Sequence, residues 1–342
     1  MKILIAGYFT AFWHERAWAK ALTEQGHEVH CFEFGGYFAS NIFGRVQNRF
    51  LVGPAVDKVN KEFVESVRVL KPQVVLCYRA LPLRAQTLSE LKRDPEAQNV
   101  AFVCYNNDNA FGSIGSKVYW RLFKQAIPYY DLHLVYRDAD VLSLGGSVRS
   151  YVLRSHYLPW LHRRLDSKQI TQKSSDICFL GHFEPDRRAN ELDLLMKQVP
   201  ATYSIRGSGW AKHGHKRAWA SLDTAELQGE EYVEALNATK IALVFFSAWN
   251  SDTYTRRVFE IPACGTFMLS QRTDTMRSLY AEDKEAVYFS SPDELVDKAR
   301  YYLKHDAQRK RIAEAGRARC IKSGYDIFSR MNEWLKKLNT VQ

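Results

Sequence analysis

The feature that most constrains this chain is a rhythm. Short runs rich in β-branched and aromatic residues alternate with stretches whose apolar residues recur every three or four positions, and the alternation is played through twice. The first pass opens with "KILIAGYF", a helical stretch over about 13–25 stopped by Gly26, and "HEVHCFEF". After a Gly-rich loop, Val56, Val59, Phe63, Val67 and Leu70 fall at helical spacing up to Pro72, and "QVVLCYR" follows. "NVAFVCY", a helix near 118–126 and "DLHLVYR" complete the pass. Strand, helix, strand in repetition predicts a parallel sheet covered on both faces.

Residues 155–175 break the rhythm with a polar, basic stretch, and the pattern then restarts with "DICFLGHF", "TYSIRGSGW", "KIALVFFS", "TFMLS" and "EAVYFSS", closing on helices near 292–304, 306–320 and 326–340. With 342 residues the chain exceeds what one core usually serves. The expectation is an α/β protein of two doubly wound, Rossmann-like domains facing a cleft: 1–158, a linker at 159–175, 176–325, and a last helix at 326–342 that either stays on its own domain or crosses back to the first. Ligands of such sheets bind beyond the carboxyl ends of the strands.

Composition narrows the partners. A formal charge of +10 and a pI near 9.2 favour anionic ligands, yet no stretch alternates arginine with aromatics, so nucleic acid is not the expected partner. Six separated cysteines without a C-x-x-C pair read as free thiols of a reducing compartment, and no metal site is expected. The start "MKILIAGYF" is too short for a signal peptide and no run is long enough to span a bilayer, which predicts a cytoplasmic protein with peripheral membrane contact left open. The opening "IAGYFTAFWHE" lacks G-x-G-x-x-G, and no Walker lysine motif occurs, so dinucleotide binding and P-loop hydrolysis are disfavoured.

"SDTYTRRVFEIPACGTFML", residues 251–269, sets an acid, two arginines and a second acid before an apolar strand. A short helix should begin near Arg257, kinked or shortened by Pro262 and closed by Gly265. Its start offers unpaired N–H groups at a strand end, and Arg256 and Arg257 add forked donors for phosphate oxygens. Glu260 suits a pair of ribose hydroxyls. The plain alternative is an ion pair between Glu260 and Arg256 or Arg257 on a solvated helix face.

This stretch, with "SSPDELVDKARYYLKHDAQRKRIAEAGRAR", resembles the C-terminal part of group-1 glycosyltransferases of the GT-B fold, especially the CgeB-like branch. That family carries two glutamates separated by seven residues; here Asp252 and Glu260 hold the same spacing. The resemblance, which covers 176–325, implies that Glu260 binds the donor ribose, that Asp252, Thr253, Tyr254 and Thr255 lie near donor sugar and phosphates, and that Gly265 is among the donor-binding residues. In "FLGHFEPDRRANEL", Gly181 and His182 stand where the family has Gly-Arg, with Arg187 or Arg188 as the second cation. In "SIRGSGW", Gly207 and Gly209 match a glycine turn that allows close approach to a ligand or simply makes a tight turn.

What the resemblance implies is transfer of a sugar from a UDP-, GDP- or dTDP-linked donor to a glycan, lipid-linked or other hydroxyl acceptor bound by the first domain, with retention, no metal and no further cofactor. Arg257, Arg256, Arg187 and helix N-termini are candidates to stabilise the leaving diphosphate. An inverting enzyme would need a base, for which His14 and Asp108 of "CYNNDNAFGS" are candidates; both also suit helix or turn capping. Tyr8, Phe9, Phe12, Trp13, Tyr37, Phe38 and Phe43 crowd the loops after the first strands, where packing is the simpler reading and sugar or lipid contact the other. An epimerase or hydrolase on the same fold, a non-catalytic nucleotide-sugar or nucleic-acid binder, and a DNA-modifying glycosyltransferase are the competing functions.

Overall fold

The computed structural model describes residues 1–112, 118–171 and 173–339. It divides into two compact units, Met1–Arg154 with Ile327–Gln342, and Ser155–Asp326.

The first unit is a six-stranded parallel sheet of β1 (Lys2–Gly7), β2 (Glu28–Glu33), β3 (Val74–Tyr78), β4 (Ala101–Asn106), β5 (Leu132–Val135) and β6 (Ser150–Val152) in the order β2-β1-β3-β4-β5-β6. Its helices are α1 (Glu15–Glu24), α2 (Ile42–Phe50), α3 (Pro54–Leu70), α4 (Ala85–Arg93), α5 (Arg121–Ala126) and α6 (Asp138–Leu144). The stripe read from the sequence, Val56, Val59, Phe63 and Val67, is the buried face of α3, which starts on Pro54 and ends through Lys71 in the left-handed region. All-apolar β3 is buried at every position, as expected of a parallel strand covered on both faces.

The second unit carries β7 (Ser175–Leu180), β8 (Tyr203–Arg206), β9 (Thr239–Val244), β10 (Phe267–Gln271) and β11 (Val287–Phe289), all parallel, in the order β11-β10-β9-β7-β8. Around them lie α7 (Arg187–Gln198), α8 (Trp210–His213), α9 (Gly229–Asn237), α10 (Arg257–Ala263), α11 (Asp274–Leu279), α12 (Pro292–Lys304) and α13 (Asp306–Lys322). Each unit has its own apolar core. The last helix, α14 (Ile327–Asn339), belongs to the first unit, where Gln25 Nε2 donates to the Phe328 carbonyl at 3.0 Å and Tyr151 donates to Glu333.

Two expectations change. Residues 155–175 are no free linker: the stretch joins the second unit, with Tyr157 bridged to Asp326 and the Leu165 N–H donating to Asn237 at 2.9 Å. The Gly-rich stretch after β2 holds a further helix, α2, whose N-cap Asn41 accepts from the Gly44 N–H. Its apolar residues face water rather than a core, so Phe43 is 74% exposed and escapes a search for buried stripes. Cys31 is exposed, and the other five cysteines are buried free thiols.

Candidate functional site

In the second unit the strand order reverses between β7 and β9, so the carboxyl ends of these two strands form its topological switch point. Glycines let three loops converge there. Gly207 has φ +146°, and a Cβ on it would lie 2.2 Å from the Gly181 carbonyl oxygen. Gly209, at φ +87°, precedes α8, and the Trp210 indole donates back to the Gly181 carbonyl at 2.6 Å. Gly181 itself leaves room for a guanidinium: a Cβ there would meet Arg257 Nη1 at 2.7 Å.

Arg257 is the first residue of α10, a helix whose residues 258–263 are all buried. Its guanidinium lies over the Phe179 ring at 5.6 Å, makes no hydrogen bond or salt bridge with any described residue, and keeps Nε buried. Burial pulls its pKa down. A cation held this way costs free energy that an anion at the strand ends would offset.

One turn further on, Glu260 is 1% exposed and already engaged. Arg256 Nε approaches Oε1 at 2.5 Å, the Tyr232 hydroxyl donates to Oε2 at 2.8 Å, and His162 Nε2 stands 3.5 Å from Oε1. The ion pair considered from sequence is thus present, but inside the unit rather than on a solvated face. Burial alone would raise the carboxyl pKa; Arg256 and the Tyr232 hydrogen bond hold it below the usual range. Burial brings His162 down to about 4, so the ring is neutral at pH 7. Its Nδ1 accepts from the Leu158 N–H at 2.9 Å, which leaves the ring proton on Nε2, facing Glu260. Tyr232 and His162 were not singled out in the sequence, and no spacing signals them, because α9 and the 155–175 stretch reach Glu260 only through the fold.

Beside this cluster Arg188, 1% exposed, donates to Asp186 from Nε at 2.9 Å, to the His182 carbonyl and to the Phe246 carbonyl, and pairs with Glu184 at 2.9 Å. Glu184 also accepts from Ser247 at 2.9 Å and contacts His182 Nε2 at 2.8 Å. Burial opposes its ionisation, yet His182, Arg188 and Ser247 keep its pKa below the ordinary value. The network ties the ends of β7 and β9 together. Arg187, by contrast, has a side chain 62% exposed that pairs with Glu191. The signal that separates them is helical phase: Arg188 shares a stripe with buried Leu192 and Leu195.

Asp252 and Thr255 lie half-buried in the loop that leads into α10, the Asp252 N–H donating to the Ser247 carbonyl at 3.0 Å and the Thr255 carbonyl accepting from Val258. Two expected donor contacts are corrected. The Tyr254 side chain is wholly buried, packs on Phe259 and accepts from the Ser155 N–H, so it is a core residue. Gly265 closes α10 at φ +78°, as its position suggested, but precedes β10 and so stands at the amino ends of the strands, opposite Gly181.

In the first unit, His14 precedes α1 with both ring nitrogens engaged, Nδ1 at 2.7 Å from the Tyr78 hydroxyl and Nε2 accepting from the Trp13 indole at 3.2 Å. Asp108, beyond β4, pairs with Arg79 at 2.9 Å, and its N–H donates to Asn106. Among the described residues no group of three His, Cys, Asp or Glu could hold a metal ion, and no helix is long and apolar enough to cross a membrane.

Residues 187–336 match the sequence profile of a family described as glycosyl transferase-like. No curated protein sequence is significantly similar to the chain. Among solved structures, HepE of Anabaena in complex with UDP and glucose aligns over 100% of both chains with a TM-score of 0.71 at 12% identity. A sucrose-phosphate synthase from Thermosynechococcus elongatus does so with a TM-score of 0.70 at 12% identity. AviGT4, a glycosyltransferase involved in avilamycin A biosynthesis, aligns over 98% of this chain and 96% of its own at TM-score 0.61 and 14% identity. The chain has the two parallel-sheet α/β domains of the GT-B fold, and its residues 187–336 resemble the glycosyl transferase-like family.

Proposed function

We propose that this protein is a glycosyltransferase that takes its sugar from a nucleoside diphosphate sugar and passes it to an acceptor hydroxyl. The observation that carries the reading is Arg257: a guanidinium without a carboxylate, lodged against Gly181 at the switch point of the second unit, where the donor diphosphate would supply its missing partner. The bond from the anomeric carbon to the diphosphate oxygen breaks, the bond to the acceptor oxygen forms, and the acceptor proton passes to the departing diphosphate oxygen. Negative charge gathers on the departing diphosphate, and Arg257 and Arg256 stabilise it there without a metal being required. Glu260 accepts a ribose hydroxyl that displaces the Tyr232 hydroxyl, and Asp252 and Thr255 border the donor sugar. The UDP and glucose bound by HepE support a UDP-linked donor. The resemblance of residues 251–269 to group-1 glycosyltransferases, especially the CgeB-like branch, favours retention of configuration.

Incubation with UDP-, GDP- and dTDP-linked hexoses tests the reading. One donor should be consumed in an acceptor-dependent manner, with Arg257→Gln slower by about a hundredfold or more. Consumption without any acceptor would instead indicate a hydrolase.

A further inference from the structure

The first unit carries a pocket of about 560 Å³ at the carboxyl ends of β1 and β3, the point where its own strand order reverses. Three tyrosines, Tyr8, Tyr78 and Tyr119, share its lining with three arginines, Arg45, Arg49 and Arg79. The backbone at both strand ends is strained. Phe9 and Arg79 have φ of 53° and 45°, a region that residues other than glycine rarely adopt and that recurs at binding sites.

The charge there is unbalanced. Arg79 meets Asp108 at 2.9 Å and the Tyr119 hydroxyl at 3.4 Å, but its Nε is buried without a partner. Arg45 and Arg49 lie one turn apart on the face of α2 that also presents Asn48 to the pocket, and neither pairs with a carboxylate among the described residues. Among the described residues the one lining carboxylate is Glu15, buried, with Oε1 accepting from the Tyr8 N–H at 3.0 Å. Burial raises its pKa despite that bond. Asp108 answers Arg79 and Glu15 is turned to the Tyr8 N–H, so three guanidiniums face two carboxylates and neither carboxylate pairs with Arg45 or Arg49.

We propose that this pocket binds a phosphate group carried by the sugar acceptor, gripped by Arg45 and Arg49 with Arg79 and the Tyr78 and Tyr119 hydroxyls completing the donor set. The proposal rests on the glycosyltransferase reading for the word acceptor, though not for the pocket itself. Forked guanidiniums and phenolic hydroxyls are the donors a tetrahedral dianion takes, and a neutral hydroxyl acceptor would need none of the excess charge. The phosphate belongs either to a soluble phosphorylated compound or to a lipid headgroup. The second source has an observation behind it: Ile42, Phe43, Val46 and Phe50 of the same helix are 60%, 74%, 42% and 42% exposed.

The test uses the full chain saturated with UDP, so that the second unit is occupied, and follows inorganic phosphate binding by phosphorus NMR. Wild type should bind phosphate. Arg45→Gln/Arg49→Gln, on exposed positions where folding is unaffected, should bind it at least about tenfold more weakly with UDP affinity unchanged. Sedimentation with vesicles then names the source. Capture by phosphatidylglycerol but not phosphatidylcholine vesicles, reduced by Phe43→Ser and by the double variant, assigns a lipid headgroup; phosphate binding without capture assigns a soluble acceptor. Phosphate binding that the double substitution leaves unchanged, or no phosphate binding by protein that holds UDP, overturns the proposal. Arginine-dependent phosphate binding by protein that never binds UDP would remove the donor reading and leave the pocket standing.

Discussion

Tyr232 on α9 donates its hydroxyl to Glu260 Oε2 at 2.8 Å, so a buried carboxylate in α10 is held by a side chain 28 residues earlier in the chain. In the donor complex proposed above, a ribose hydroxyl takes the place of this hydroxyl. Tyr232→Phe should lower stability by about 1–3 kcal/mol, the cost of leaving a buried acceptor short of a donor. In the same variant, calorimetry with the nucleotide should find affinity equal to wild type or tighter, because nothing remains to be displaced. Glu260→Gln should weaken binding. A Tyr232→Phe protein that loses nucleotide binding would place the phenol on the ligand instead.

Gly207 is a conformational requirement of the switch point. A methyl there would meet the Gly181 carbonyl at 2.2 Å and would have to adopt φ +146°. Gly207→Ala should therefore cost about 2–4 kcal/mol in urea denaturation and displace the loop that faces Arg257. Gly229→Ala makes the control, since φ there is also positive at +57° but nothing lies within 4 Å.

The neutral ring of His162 makes stability depend on pH. Its folded pKa, near 4, lies below the usual value of 6.5. The unfolded chain therefore binds more protons between those two values, and stability is fully present above pH 6.5 and falls as the pH drops toward 4. The full contribution is about 3 kcal/mol. His162→Asn keeps an acceptor for the Leu158 N–H and removes the titration, so its stability profile from pH 6.5 to 4 should be flatter than that of wild type. Parallel profiles would contradict the assignment.

Much of the architecture was legible because parallel sheets write themselves as alternating apolar strands and helical stripes. The stripe of Val56 to Val67 and the closing glycine at Gly265 came from local pattern, and the switch-point glycines Gly181 and Gly207 from the family resemblance. What escaped has physical causes. Helix α2 hides because its apolar residues are exposed, and periodicity is taken to mean burial. Tyr254 reads as a polar loop residue, but its ring fills the core and its hydroxyl finds a backbone partner 99 residues away. Arg187 and Arg188 are indistinguishable by type and separated only by helical phase. Tyr232 and His162 reach Glu260 through tertiary contacts with no spacing of their own.

Arg257 carries the central claim, and UDP titration of wild type and Arg257→Gln by calorimetry tests it most directly. The expected result is binding by wild type and at least about tenfold weaker binding by the variant, while the melting temperature without ligand stays the same or rises, because a half-buried guanidinium whose Nε has no partner has been removed. Equal affinities, or a variant that melts well below wild type, would contradict it: the guanidinium would then serve the fold and the donor diphosphate would lie elsewhere.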